Sequence, residues 1–244
     1  MTPCLVTIPF SHYCEKARWA LERRGIDFVE EAHLPVLHLR ATIRSGGRST
    51  PLLRTGDGPV LADSTDILQW ADAHGRQGDV LFPDEEARAL EARFDDVLGP
   101  HARRLAYGRL FDHEPAFAAL LAAAPVPALE HRLAGAGRPL MRWLLRRALT
   151  ITPSGVERSA ARVQQVFAEV ERHLADGRPF LAGDRFTAAD LTFASLAAPL
   201  VMPAAYERRL IPLQATGPAF RAAVDGWRRT RAGTFALRLY ESER

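Results

Sequence analysis

A hydroxyl and a thiol three positions apart, Ser11 and Cys14, stand where a short apolar run gives way to a helical pattern. That junction is the stretch best equipped for chemistry. The run Cys4-Leu5-Val6-Thr7-Ile8 favours a strand and is closed by Pro9, which has no N–H for a sheet ladder. Ser11 is a good N-cap, and Ala17, Ala20 and Leu21 recur behind it at helical spacing until Gly25, with Lys16, Arg18, Glu22, Arg23 and Arg24 mostly on the other faces. A helix start leaves backbone N–H groups unpaired and carries roughly half a positive charge, so an anion is favoured over it. A thiolate is such an anion. Plain capping by Ser11 and a small apolar role for Cys14 account for the same residues without chemistry.

The elements that would position this junction follow in order. Residues 27–31 read as a second strand and residues 37–43 as a short helix between Pro35 and Gly46-Gly47. Thr50-Pro51 opens a hairpin whose arms, 49–54 and 59–62, flank a Gly-Asp-Gly turn. Asp63-Ser64-Thr65-Asp66 is a dense N-cap cluster, followed at helical spacing by Ile67, Leu68, Trp70 and Ala71. The order βαβαββα over residues 1–76 makes a complete small α/β domain, and residues 77–84 read as a linker.

Residues 85–244 carry helical patterns only, which predicts an all-α second domain. A long helix opens at Pro83-Asp84, with a kink if it continues past Gly99-Pro100. Others are expected over 114–124, over 128–149 with an interruption at Gly135-Ala136-Gly137, over 154–175 and over 217–231. Thr187 and Asp190 stand in capping-box spacing before 191–201, which is apolar nearly all round and therefore predicts a buried central helix. Residues 241–244 are expected to fray.

Composition narrows the class. The 244 residues are 47% hydrophobic and 25% charged, ordinary for a globular protein. No apolar run approaches the about 18 residues that span a bilayer, and the opening residues lack the order of a signal peptide, so cytoplasm is the expectation. Two cysteines, Cys4 and Cys14, make no disulfide framework. A net charge of +3 from 32 cations mixed with 29 anions is too weak an argument for nucleic acid. Residues 141–149 form a basic amphipathic segment that could lie on a membrane, though packing of Trp143 and Leu144 into the domain or over a pocket is the favoured reading.

Taken together, Ser11-His12-Tyr13-Cys14, Thr50-Pro51, Asp63-Ser64 and Gly183-Asp184 with Thr187-Ala188-Ala189-Asp190 give a chain that resembles the cytosolic glutathione transferase superfamily. The resemblance implies a thioredoxin-like α/β domain followed by an all-helical domain, with glutathione as cosubstrate, no metal, a hydrophobic electrophile bound between the domains, and a homodimer. It implies a cis bond before Pro51, with Thr50 turning its backbone to the cysteinyl part of glutathione like an added strand. Asp63 and Ser64 would meet the γ-glutamyl end. For the glycyl carboxylate the candidates are Arg40, Arg44 and Arg48, with Arg48 carried among the site residues. Ser11 matches the catalytic position and would donate a hydrogen bond to the glutathione sulfur, while Asp190 is carried over as a folding residue.

The sequence departs from the family pattern at three places. His12 stands where proline is common, which would put a titratable group beside the sulfur. Cys14 holds the second position of a Cys-x-x-Cys motif without the first, which excludes a dithiol mechanism and leaves a monothiol transferase or reductase as an alternative. Residues 125–153 look like an extension. The third reading is a family member without catalysis, acting as a ligand-binding or interaction protein.

Overall fold

The computed structural model describes residues 1–76, 78 and 80–244, so Gln77 and Asp79 of the expected linker lie outside the described residues. A four-stranded sheet runs in the order β2-β1-β3-β4. β1 (Cys4–Thr7) pairs in parallel with β2 (Val29–Ala32) and antiparallel with β3 (Leu52–Arg54), which pairs antiparallel with β4 (Val60–Leu61). Alternation along β1 sends successive side chains to opposite faces. Leu5, opposite Leu53, joins the core shared with Ala17 and Leu21 of α1 (His12–Arg23) and with Ile67 and Leu68 of α3 (Ser64–His74). Val6, opposite Leu52, packs instead with Ala41 of α2 (Leu39–Arg44).

Beyond the sheet the chain is helical. α4 (Glu85–Arg93) passes through a π-helical turn (Phe94–Leu98) into α5 (Gly99–Phe111). The kink expected near Gly99-Pro100 is realised as that turn, and Pro100 sits at the start of α5, where a missing N–H costs nothing. α6 (Glu114–Ala123), α7 (Ala128–Ala148) and α8 (Pro153–His173) follow. α9 (Ala188–Val201) is buried almost throughout, against α1, α4, α5 and the last helices α11 (Pro218–Arg228) and α12 (Arg231–Ser242), with a short α10 (Ala204–Glu207) between. Its capping box is present: Asp190 accepts from the N–H groups of Leu181 (2.8 Å) and Thr187 (2.9 Å) and from the Thr187 hydroxyl (3.0 Å).

Several expectations are corrected. α7 runs uninterrupted through Gly135 and Gly137, since each glycine costs only about 1 kcal/mol against alanine and breaking the helix would open two new ends. Trp143 is 57% exposed rather than packed inside, on a stripe with Leu129, Leu133 and Leu140, which are also exposed. The helix expected over 217–231 is present but ends at Arg228, and Thr230 caps a further helix by accepting from Gly233 N (2.9 Å). The chain end does not fray: Trp19 donates to the Glu243 carbonyl (3.1 Å) and Arg244 to Glu15 (2.9 Å).

The largest correction concerns α1. Glu15, Lys16 and Arg18 are buried rather than solvated, because this helix lies between the sheet and the helical half. Burial is tolerable only with partners. Arg18 donates to Glu30 of β2 at 2.6 and 2.8 Å, and Glu15 is ringed by Arg18, Arg209 and Arg244.

Candidate functional site

The chain leaves β1, turns at Pro9 and enters α1 through Ser11, whose extended backbone and side-chain oxygen make it the N-cap. Ser11 Oγ accepts from Cys14 N at 3.4 Å, and Ser11 N donates to the Ile8 carbonyl at 3.0 Å. The Thr50-Pro51 bond is cis, in the form the resemblance implies. The Ser11 and Thr50 side chains lie beside the Cys14 thiol, so these three residues come together at the start of α1. The thiol itself is closed off from solvent. Burial pushes it above its ordinary value, against the smaller opposing effects of Arg18, the Ile8 backbone and the two hydroxyls. At neutral pH Cys14 therefore stays a thiol, which deprives it of the thiolate a nucleophile needs.

At the start of α3, Asp63 is exposed and caps the helix by accepting from Thr65 N (2.7 Å). Ser64 is buried, and its hydroxyl donates to Asp95 at 3.2 Å. Asp95, from the π turn, was not legible in the sequence. It brings a second carboxylate to the corner where Asp63 and Ser64 stand. Lys16, the only lysine of the chain, donates to Asp95, to Glu91 (2.6 Å) and to the Thr65 hydroxyl (3.1 Å). A lone lysine in an arginine-rich chain was the one trace of this role.

The three arginines named for a carboxylate are all exposed. Arg40 and Arg44 line a groove shared with Leu129 and Leu133 of α7, and neither Ser11 nor Arg48 lines it.

His12 is not the titratable group beside the sulfur that its place in the sequence led one to expect. It is buried, its Nε2 lies 3.1 Å from the Gly99 carbonyl oxygen, and burial, reinforced by Arg103, pushes its pKa down to about 3. It is neutral across the physiological range, so Nε2 carries the proton that Gly99 accepts. The neighbouring Tyr13 hydroxyl donates to the Asp95 carbonyl at 3.0 Å and passes so close to Gly99 that a Cβ there would lie 2.0 Å from its oxygen. Glycine is needed at that crossing.

His12 also borders an apolar cavity with Phe10, Arg103, Tyr107, Tyr206 and Leu210, about 50 Å³ in volume and partly open to solvent. Tyr206 closes it by donating to the Phe10 carbonyl at 2.6 Å, and burial raises the Tyr107 and Tyr206 phenols well above their ordinary value. The cavity is thus walled by apolar side chains, a few neutral polar groups and one cation, Arg103. Among the described residues no cluster of His, Cys, Asp or Glu could hold a metal ion, and no helix is long and apolar enough to cross a membrane.

Residues 5–77 match the family model of the glutathione S-transferase N-terminal domain, and residues 153–229 that of the glutathione S-transferase C-terminal domain. No curated protein matches the chain significantly. Similar solved structures include a glutathione S-transferase of Ceriporiopsis subvermispora in complex with glutathione, 18% identical over 100% of this chain and 98% of that one (TM-score 0.65). A β-etherase of Sphingobium sp. strain SYK-6 is 18% identical over 98% and 99% (TM-score 0.59). A theta class glutathione S-transferase of Xanthomonas axonopodis pv. citri with glutathione bound is 19% identical over 97% of each chain (TM-score 0.54). At such identities the likeness concerns the fold.

Proposed function

The chain belongs to the glutathione S-transferase superfamily, and from that membership we propose that it binds glutathione at the start of α1 and joins it through its thiolate sulfur to a hydrophobic electrophile held in the cavity beside His12. Residues 1–76 would bind glutathione, and residues 85–244 would supply the far wall of the cavity. One observation carries this reading: Ser11, Thr50 and the amide-rich start of α1 converge next to an apolar cavity.

In this reading Thr50 offers its backbone to the cysteinyl residue of glutathione in the manner of a neighbouring strand. The N–H groups at the start of α3 take the γ-glutamyl carboxylate, and Asp63 holds its ammonium. Arg48 is the cation proposed for the glycyl carboxylate. The Ser11 hydroxyl donates to the sulfur and, with the α1 dipole, favours the thiolate over the thiol, lowering a pKa of roughly 8.5 toward neutrality. The thiolate then attacks an electrophilic carbon; the C–S bond forms as the leaving group departs with its electron pair. His12 takes no part in proton transfer, being neutral and tied to Gly99.

Ser11→Ala is expected to lower kcat/KM for an aryl halide by about 100-fold while calorimetry still detects glutathione. Undiminished turnover removes Ser11 from the mechanism, and a wild type that binds no glutathione would be a ligand-binding member without this catalysis. A reductase activity lost in Cys14→Ser and kept in Ser11→Ala would instead select the monothiol reading, against which the burial of Cys14 weighs.

A further inference from the structure

Arg103 of α5 borders the cavity one helical turn before Tyr107 and carries a charge that nothing nearby neutralises. Its Nε is shut off from solvent without a hydrogen-bond partner, and among the described residues no carboxylate pairs with it. Its neighbours differ in this respect. Arg104, next in sequence, donates to the Leu149 carbonyl (2.8 Å) and the Ser159 hydroxyl (2.9 Å), and Arg18 is held by Glu15 and Glu30. The nearest carboxylate corner is already taken, since Asp95 receives Lys16 and Ser64. What Arg103 has is the face of Tyr13, 5.7 Å from its ring centroid, close to the limit at which a cation–π contact counts.

One nitrogen of the half-exposed Arg103 guanidinium is thus shut off from solvent beside an apolar wall, where an anion entering the cavity would meet it. The other polar groups of the wall, His12, Tyr107 and Tyr206, are neutral at physiological pH and supply no counter-charge. The geometry points to a ligand that brings its own: the electrophile taken by this cavity carries a carboxylate or sulfonate, bound by Arg103, on an otherwise apolar body. Arg103 is then the residue that determines specificity, since a fork of N–H donors matches a planar carboxylate two bonds at a time. This rests on the transferase reading for the reaction, though not for the binding of the anion.

The test compares 4-chloro-3-nitrobenzoate with its methyl ester as acceptors of glutathione. In either, the C–S bond forms, the C–Cl bond breaks, chloride leaves with the electron pair and the thiol proton goes to buffer. The wild type is expected to favour the acid over the ester in kcat/KM by about 10- to 100-fold, and Arg103→Met to collapse that ratio, with Arg103→Lys restoring part of it. A ratio near one in the wild type, or one that Arg103→Met leaves unchanged, overturns the proposal. Binding of unreactive 3-nitrobenzoate against nitrobenzene, followed by calorimetry without glutathione, separates the two readings. Preference for the acid that disappears in Arg103→Met upholds the anion site even if neither halide is turned over, in which case only the transferase reading falls. Equal or absent binding of the two overturns the anion site whatever the kinetics.

Discussion

The ammonium of Lys16 lies 2.6 Å from a carboxylate oxygen of Glu91, with both side chains closed off from solvent. The pair joins the first helix of the α/β half to α4, and Asp95 and Thr65 complete it. Removing the lysine leaves two carboxylates in a site built for a cation. Lys16→Met should therefore lower the unfolding free energy by about 3–5 kcal/mol in urea titration, and adding Glu91→Leu should recover part of the loss. A single variant as stable as the wild type would show that the pair contributes nothing.

Cys14 should behave as a packing residue. Its thiol is buried and held protonated. Iodoacetamide at neutral pH should leave it unmodified in the folded protein while reacting with it in urea, as mass spectrometry of the peptide spanning α1 would read. Cys14→Ala should cost about 1 kcal/mol for the space it empties. Fast alkylation of the native thiol would contradict this placement.

His12 makes stability depend on pH in a known direction. Its pKa is about 3 in the fold against an ordinary 6.5, so the unfolded chain binds the proton more tightly. Its contribution is fully present above about pH 6.5 and is lost as the pH falls toward 3. Burial lowers His38 and His101 too, so the readout is a difference. The fall in urea stability between about pH 7 and pH 4.5 should be smaller in His12→Gln than in the wild type. Equal slopes would mean that His12 is solvated.

Asp190 organises the entry to α9 by accepting three hydrogen bonds with two oxygens. An asparagine there keeps one acceptor and turns an NH2 toward a donor. Asp190→Asn should thus destabilise the protein by about 1–3 kcal/mol, read as a drop in Tm in calorimetry. An unchanged Tm would leave the capping box without energetic weight.

The strands, the turns and the caps at Ser11, Asp63 and Thr187 were legible in the sequence because each depends on residues within a few positions: a period of two, a Gly-Asp-Gly turn, a hydroxyl three residues before an acid. The meeting of Ser11 and Cys14 was legible for the same reason. Asp95, Arg103 and the role of Lys16 were not. Nothing near Lys16 in the chain says that Glu91 will come to it, and nothing near His12 says that Gly99 will.

Local sequence thus determined which segments are strands and helices and where a sulfur anion would be welcome. Tertiary structure decided the electrostatics: that Lys16 and Arg18 are inside, that His12 cannot take a proton at neutral pH, and that Arg103 is left without a counter-charge. The physical reason is that a helix start owes its N–H groups to its own backbone, whereas the state of a charge depends on the solvent it loses and the partners it gains when distant parts of the chain close over it.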